Sequence, residues 1–407
     1  MRILMILTLF SGLKESVAQR RWMPGGTPTV CRLIESLDAA NELALCFTLR
    51  RVSLGFREVE LPPLQIKAWL DSPPAWLGLF GKASWYLGEA LKIGRVWRHV
   101  RAIRPDILYV DRANSWVAGT LARWSGIPVV YRVMGISDDL RACVVGRHPR
   151  NAIQRWMLRA PFGAVICTQE GSDGEAVLNA LLLPSVPQHH FVNGVDWDRT
   201  AAAMDRPAAT DVVVLFAGRL EAMKGADEFL EAFLTARSRA PGQLRAVVMG
   251  EGARMESMRA RVRSADAEGD VTFLGAVPHS TVASIYQRAD VYVSLNRMGN
   301  LSNTTLEALA HGCCCVLPEP DDSIPRDAVT RQYLPNGTVV RIPSIDDTEA
   351  LASALVHLAQ HGAERQTIAA RGQTAARAFI PTWSERIAAE VGLLRDIAGR
   401  GHSAGHG

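Results

Sequence analysis

Apolar and polar positions along the chain fall into repeating blocks. Short apolar runs of strand length are each followed by a longer stretch in which apolar residues recur at three- and four-residue spacing. The runs read as strands buried on both faces, and the longer stretches as amphipathic helices. In the first half the pattern predicts strands over residues 2–9, 107–110, 129–133 and 164–168, with helices near 29–41, 85–103 and 115–124. Pro105 and Pro128 each stand just before a strand, where a helix has to have ended. Residues 61–81 are rich in Pro and Trp without a clean period, and read as a loop or a short broken helix.

The second half is more regular. Strands are predicted over 211–217, 243–249, 271–274, 290–295, 313–317 and 338–342. Helices near 226–239, 253–265, 281–288 and 304–311 lie between them. Strict alternation of this kind implies a parallel sheet covered on both faces, with ligands at the carboxyl ends of its strands.

At 407 residues the chain exceeds what one hydrophobic core usually holds, so two domains are expected. The turn-rich Asn193-Gly194-Val195-Asp196 marks the boundary, giving domains over 1–196 and 197–380, a terminal helix over 381–398 and a frayed tail over 399–407. The first 196 residues carry 23 Lys and Arg against 16 Asp and Glu, the remainder 22 against 25. This asymmetry either suits an anionic partner of the first half or arises by chance. Seven cysteines, an odd number without C-x-x-C spacing, form neither a disulfide framework nor a zinc site and fit a reducing, cytoplasmic compartment. Cys313, Cys314 and Cys315 read as small apolar residues of a buried strand. No apolar run has the length that spans a bilayer, and the apolar opening reads as a first strand rather than a signal peptide.

Three constellations carry candidate chemistry. In Phe216-Ala217-Gly218-Arg219-Leu220-Glu221-Ala222-Met223-Lys224-Gly225 a strand ends at Gly218, two cations follow and a helix begins. Forked donors, a point charge and helix amides together suit a diphosphate, although two loop cations on the surface would look the same. In Val248-Met249-Gly250-Glu251-Gly252 a strand enters a Gly-x-Gly turn, which lets backbone approach a ligand but is common on its own. In the third, a polar loop at Gly299-Asn300-Leu301 opens a helix that Ser302 or Asn303 can cap, with Thr304 and Thr305 in its first turn. Its amides suit a phosphate. Glu307, one turn in, either receives ribose hydroxyls or offsets the helix dipole.

Together these segments resemble the glycosyltransferase group 1 family (family 4). Further matches are Asn193-Gly194-Val195-Asp196, Phe273-Leu274-Gly275-Ala276-Val277, Ala289-Asp290 before a strand, and Pro24-Gly25-Gly26-Thr27. The resemblance implies the GT-B fold, α/β with two Rossmann-like doubly wound domains facing across a cleft. It implies an N-terminal acceptor domain, a C-terminal domain for a nucleotide-diphosphate sugar, and a terminal helix crossing back to the first domain. It implies hexose transfer, retaining in outcome, to a glycan, lipid-linked or small-molecule acceptor. By the same resemblance Arg219 and Lys224 bind the donor diphosphate and stabilise the leaving group, Glu307 holds the ribose, and Gly26 approaches the phosphates. Gly218, Gly250, Glu251, Ala276, Asn300, Ser302, Asn303 and Thr304 complete the donor contacts. No cofactor and no metal is implied, and Asp196-Trp197-Asp198 belongs to the linker rather than to a metal site.

Two positions depart from the family pattern: Gly299 stands where a glutamate is usual, and Met134 where a histidine is usual. They keep open a degenerate member that binds nucleotide sugar or a partner without turnover. A nucleotide-sugar epimerase of the same fold is a further alternative. Between Lys82 and Arg104, cations at Lys92, Arg95, Arg98 and Arg101 recur every third residue among Leu91, Val96, Trp97, Val100 and Ile103. This reads as a basic amphipathic helix, suited to an anionic membrane surface on the inner face or packed as an ordinary surface helix. No nucleic-acid signature is present.

Overall fold

The computed structural model describes residues 1–25, 28–40, 42–49, 56–146, 148–198, 211–320 and 327–403. Gly26, one of the implied phosphate contacts, lies outside them. The chain divides into two compact units. The first comprises Met1–Thr168, Gly174–Phe191 and Ser384–Gly407, the second Gln169–Asp173 and Val192–Trp383.

The strands of the first unit are β1 Ile3–Thr8, β2 Leu43–Thr48, β3 Glu58–Glu60, β4 Lys67–Asp71, β5 Ile107–Asp111, β6 Val129–Val133, β7 Ala164–Thr168 and β8 Gln188–Phe191. They form one sheet in the order β3-β4-β2-β1-β5-β6-β7-β8, parallel except for the edge pair β3–β4. Consecutive residues of β1 serve opposite cores: Ile3, Met5 and Leu7 face one, Leu4 and Ile6 the other. An unbroken apolar run is therefore what a doubly covered strand requires. The apolar opening of the chain is this central strand, paired on both edges.

The segment 61–81 holds the short broken helix of its sequence reading, kinked at Gly81, and in addition a strand that the reading lacks. It contains β4 and a 3-10 stretch, Ala75–Ala83. Pro62, Pro63, Pro73 and Pro74 bracket a strand too short for its alternation to be seen. The helix Trp383–Ser403 runs past Gly399, where the sequence reading began the tail. Its Ile387, Val391, Leu394 and Ile397 join the core against β1 and β2.

The helix Ser84–Ile103 corrects a second expectation. Its four regularly spaced cations do not share one face. Lys92 pairs with Glu89 at 2.8 Å and Arg95 with Asp71, both turned towards the body, whereas Arg98 and Arg101 face outwards. The reason is geometric. A three-residue step falls about 60° short of a full helical turn, so three such steps carry Arg101 to the side opposite Lys92.

In the second unit the strands are β9 Val212–Ala217, β10 Leu244–Met249, β11 Val271–Gly275, β12 Val291–Val293, β13 Cys314–Pro318 and β14 Val340–Ile342. The order is β11-β10-β9-β12-β13-β14, all parallel. Val212, Val214 and Phe216 of β9 face one core, Leu215 and Ala217 the other. Cys313, Cys314 and Cys315 are buried at the start of β13, as their run suggested. The chain leaves β9 towards one edge and returns to β12 on its other side. The order therefore reverses between β9 and β12, and it is outside the carboxyl ends of strands at such a reversal that ligands bind in parallel α/β sheets.

Candidate active site

The loops that follow β9 and β12 meet at this reversal point. Gly225 adopts the left-handed conformation (φ 71°), and a Cβ there would come within 2.3 Å of the Leu295 Cβ. The Arg297 amide donates to the Met223 carbonyl at 3.1 Å. These contacts bring the cation-bearing loop and the polar loop side by side.

Lys224 ends the short 3-10 turn Ala222–Lys224, directly before the helix Ala226–Arg239. Burial holds its ammonium below the usual range; the Glu170 carboxylate pulls it up, and Arg219 pushes it down again. A half-buried cation beside another cation is a poor resting place and a good anion site. Arg219 is exposed and pairs with Glu221 at 3.1 Å, a weak surface pair that leaves its fork free to reorient.

The polar loop after β12 leads into the helix Asn303–Ala310, with Ser302 at the N-cap. Ser302 makes no side-chain bond to the helix amides. Its hydroxyl is instead within 2.9 Å of the Thr304 hydroxyl and 3.2 Å of that of Thr305. The expected cap is thus absent, and the first-turn amides are not consumed by it. Asn303 accepts from the Asn193 amide at 2.7 Å, and Thr304 from the Tyr292 hydroxyl at 2.8 Å. Asn193 is anchored because Gly194 packs against the backbone of Trp383, 2.7 Å from where a Cβ would sit.

Burial raises the Glu307 carboxyl to about 7, against the opposing pull of the Tyr286 hydroxyl and the His279 ring. His279 is itself held 3.0 Å from Asp196, the first residue of the Asp-x-Asp. Glu307 is therefore a carboxyl poised to ionise when polar donors reach it.

Asn300 is used differently from the sequence expectation. It is buried, and its carbonyl accepts from the Ser294 hydroxyl at 2.7 Å and the Asn296 amide at 3.3 Å. Its NH2 donates to the Asn296 carbonyl at 3.3 Å and to Asp327 at 2.8 Å. All four hydrogen-bonding capacities of the amide are occupied, so it braces the loop rather than offering a group to a ligand. Gly299 is close-packed too. A Cβ there would come 2.4 Å from the Glu170 carbonyl, so residues 170–172 fill the space that a side chain at 299 would need.

Gly218, Gly250 and Gly252 pack loop backbone on loop backbone. A Cβ on Gly250 would sit 1.9 Å from the Gly218 carbonyl, at a φ of 126°. Gly250→Ala is expected to destabilise the protein by at least ~2 kcal/mol, from steric overlap and left-handed strain together, measured by denaturant unfolding. An unchanged midpoint would remove this account. Glu251 lies at the ligand end of β10, where its Oε1 is 3.4 Å from the Ala276 amide.

Sequence reasoning had not singled out Glu170, Tyr286, Tyr292, His279 or Asp327. Glu170 follows the carboxyl end of β7, where the strand-end rule could have flagged it. Asp327 stands at the N-cap of the helix Ala328–Tyr333 with Thr330 three residues on, a local signal of a cap, whereas its bond to the remote Asn300 leaves no trace in the sequence. Met134 packs against the first unit's core.

Residues 211–361 match the family model described as glycosyl transferases group 1. The chain is 25% identical over 256 residues to glycogen synthase of Mycobacterium tuberculosis, a match covering 58% of this chain and 57% of that protein. It thus spans little more than half of that relative's length. It is 35% identical over 310 residues to 2-deoxystreptamine N-acetyl-D-glucosaminyltransferase of Streptomyces fradiae, covering 70% of this chain and 72% of the relative. Among solved structures, sucrose-phosphate synthase from Thermosynechococcus elongatus superposes with a TM-score of 0.70 at 16% identity, over 98% of this chain and 100% of that one.

Proposed function

We propose, from the premise that this chain belongs to the group 1 glycosyltransferases of GT-B fold, that it transfers a hexose from a nucleotide-diphosphate sugar to an acceptor hydroxyl. The acceptor is a glycan, a lipid-linked sugar or a small molecule. The observation that carries this reading is the reversal point of the second unit's sheet. There the half-buried Lys224 and the Arg219 fork follow β9, and an uncapped helix N-terminus with the buried Glu307 one turn in follows β12.

The chemistry follows from charge. When the bond between the sugar's anomeric carbon and the diphosphate oxygen breaks, negative charge gathers on the leaving diphosphate. Lys224 and the amides after Ser302 supply preorganised positive potential at that place, and the Arg219 fork turns to it, which lowers the barrier without requiring a metal. Glu307 receives the ribose hydroxyls, and ionises as they replace water. The Gly250 and Ala276 turns let backbone approach the nucleotide. What supports retention at the anomeric carbon is the family resemblance. The Streptomyces relative, named for an N-acetylglucosaminyl transfer to an aminocyclitol, favours testing small acceptors alongside glycans.

Calorimetry with a panel of nucleoside diphosphates and their sugars tests the proposal. Clear binding of one donor, weakened in Arg219→Ala and weakened more in Lys224→Ala, is expected. Failure of every donor to bind would turn the reading to a degenerate, non-catalytic member.

Glu307 gives a pH signature. Its folded value of about 7 exceeds the free value of 4.5, so between these pH values the folded state holds more protons than the unfolded one. Its contribution to stability is therefore present below 4.5 and is lost as pH rises through 7. Glu307→Gln is expected to raise the thermal midpoint of the ligand-free protein at about pH 8, leave it near wild type at about pH 5, and weaken donor binding at least ~10-fold. A lower midpoint at the higher pH would contradict it.

A further inference from the structure

The first unit carries an apolar surface that the transfer reaction does not use. The 3-10 stretch Ala75–Ala83 leads into the helix Ser84–Ile103, with Gly81 at the kink in a positive-φ conformation. Leu79 is 86% exposed, Phe80 51% and Trp76 49%. Trp76 and Phe80 meet edge to face at 5.8 Å, so the tip is a formed surface. Tyr86, Leu87 and Leu91 continue it along the outward side of the helix. Further along that side the apolar residues give way to Arg98 and Arg101, with Arg104 at the helix end, all exposed.

Charge decides what covers this surface. Glu89 is the only acidic residue between Ala75 and Arg104. It is held by Lys92 and only 15% exposed. The surface thus presents an apolar and aromatic end beside a cationic end with no free carboxylate of its own stretch. A second copy of the chain placed here in a self-complementary way would set arginines either against arginines or against the apolar end, and neither gives them a counter-charge. An anionic lipid surface satisfies both ends: the rings and Leu79 enter the acyl boundary while the guanidiniums meet headgroup phosphates. Among the described residues no helix is long and apolar enough to cross a membrane, so the arrangement suits lying on one.

We infer that Trp76, Leu79 and Phe80, with the outward side of the helix Ser84–Ile103, dock the protein on the interface of an anionic lipid bilayer. The inference is independent of the transfer reaction. Full-length protein is sedimented with vesicles of phosphatidylcholine alone and of phosphatidylcholine with phosphatidylglycerol. Partitioning onto the anionic vesicles is expected to be at least ~10-fold stronger and to fall as salt is raised. Leu79→Ser with Phe80→Ser is expected to lower it ~10-fold or more. Arg98→Gln with Arg101→Gln is expected to erase the preference for anionic vesicles. These side chains are exposed, and circular dichroism and the thermal midpoint serve as the check that each variant is folded. Equal or absent binding to the two vesicle types overturns the inference, as does binding indifferent to the Leu79 and Phe80 changes. A wild-type dimer in light scattering that the same changes dissociate overturns it too, in favour of a contact between copies.

Discussion

Lys224→Ala is expected to reduce kcat/KM by about 10²–10³, equivalent to ~3–4 kcal/mol of lost transition-state stabilisation. The lysine is the less exposed of the site's two cations, and burial already holds its ammonium below the usual range. A diphosphate arriving beside it adds counter-charge to that of Glu170, against burial and the neighbouring Arg219. Arg219 is largely exposed and shared with Glu221, so its loss is expected to cost less. The comparison separates charge from structure. Lys224→Met keeps the aliphatic stem and removes a partly desolvated charge, so the unfolding midpoint of the ligand-free protein should hold or rise while nucleoside diphosphate affinity falls at least ~30-fold. Affinity within threefold of wild type would take the diphosphate away from this residue.

The second large effect concerns stability and lies in the first unit. Glu390 is buried and accepts from the Tyr109 hydroxyl at 2.7 Å, with the Arg386 guanidinium at 2.6 Å and that of Arg132 at 3.6 Å. Arg132 also donates to the Thr168 hydroxyl at 2.7 Å and the Ile166 carbonyl at 3.3 Å. Arg386 stacks over the Phe191 ring at 4.2 Å. Burial alone would push the Glu390 carboxyl up, but the two guanidiniums outweigh it and hold the group below its ordinary value.

Glu390→Gln leaves two buried cations without a counter-charge and is expected to cost ~3–5 kcal/mol in denaturant unfolding. Because the folded pKa is depressed, this contribution is present above the free carboxyl value and is lost as pH falls through the folded one. The wild type should therefore lose stability in acid more steeply than the variant. A variant within ~1 kcal/mol of wild type would show that the cluster is held by packing rather than by charge.

The sequence by itself determined the fold class and much of the second unit. The central strands β9 and β13 are apolar runs buried on both faces, and their short length beside stretches of helical period marks them as strands. The same holds for β1, β5, β6 and β7. Arg219, Lys224 and Glu307 could be named as candidates from local pattern alone, the first two in a strand-to-helix turn and Glu307 one turn into a helix. What only the tertiary structure decided rests on contacts between distant segments. β4 is recognisable only by its pairing with β2. Asn300 has the look of a ligand contact until Ser294 and Asp327 are seen to occupy it. Gly299 reads as a missing side chain until residues 170–172 are found filling its space. The three-residue repeat of Lys92, Arg95, Arg98 and Arg101 reads as one cationic face until helical rotation and Asp71 divide it. A linear sequence records which groups a chain carries. Whether a polar group meets a ligand or another part of the chain is decided by long-range packing, which has no period to read.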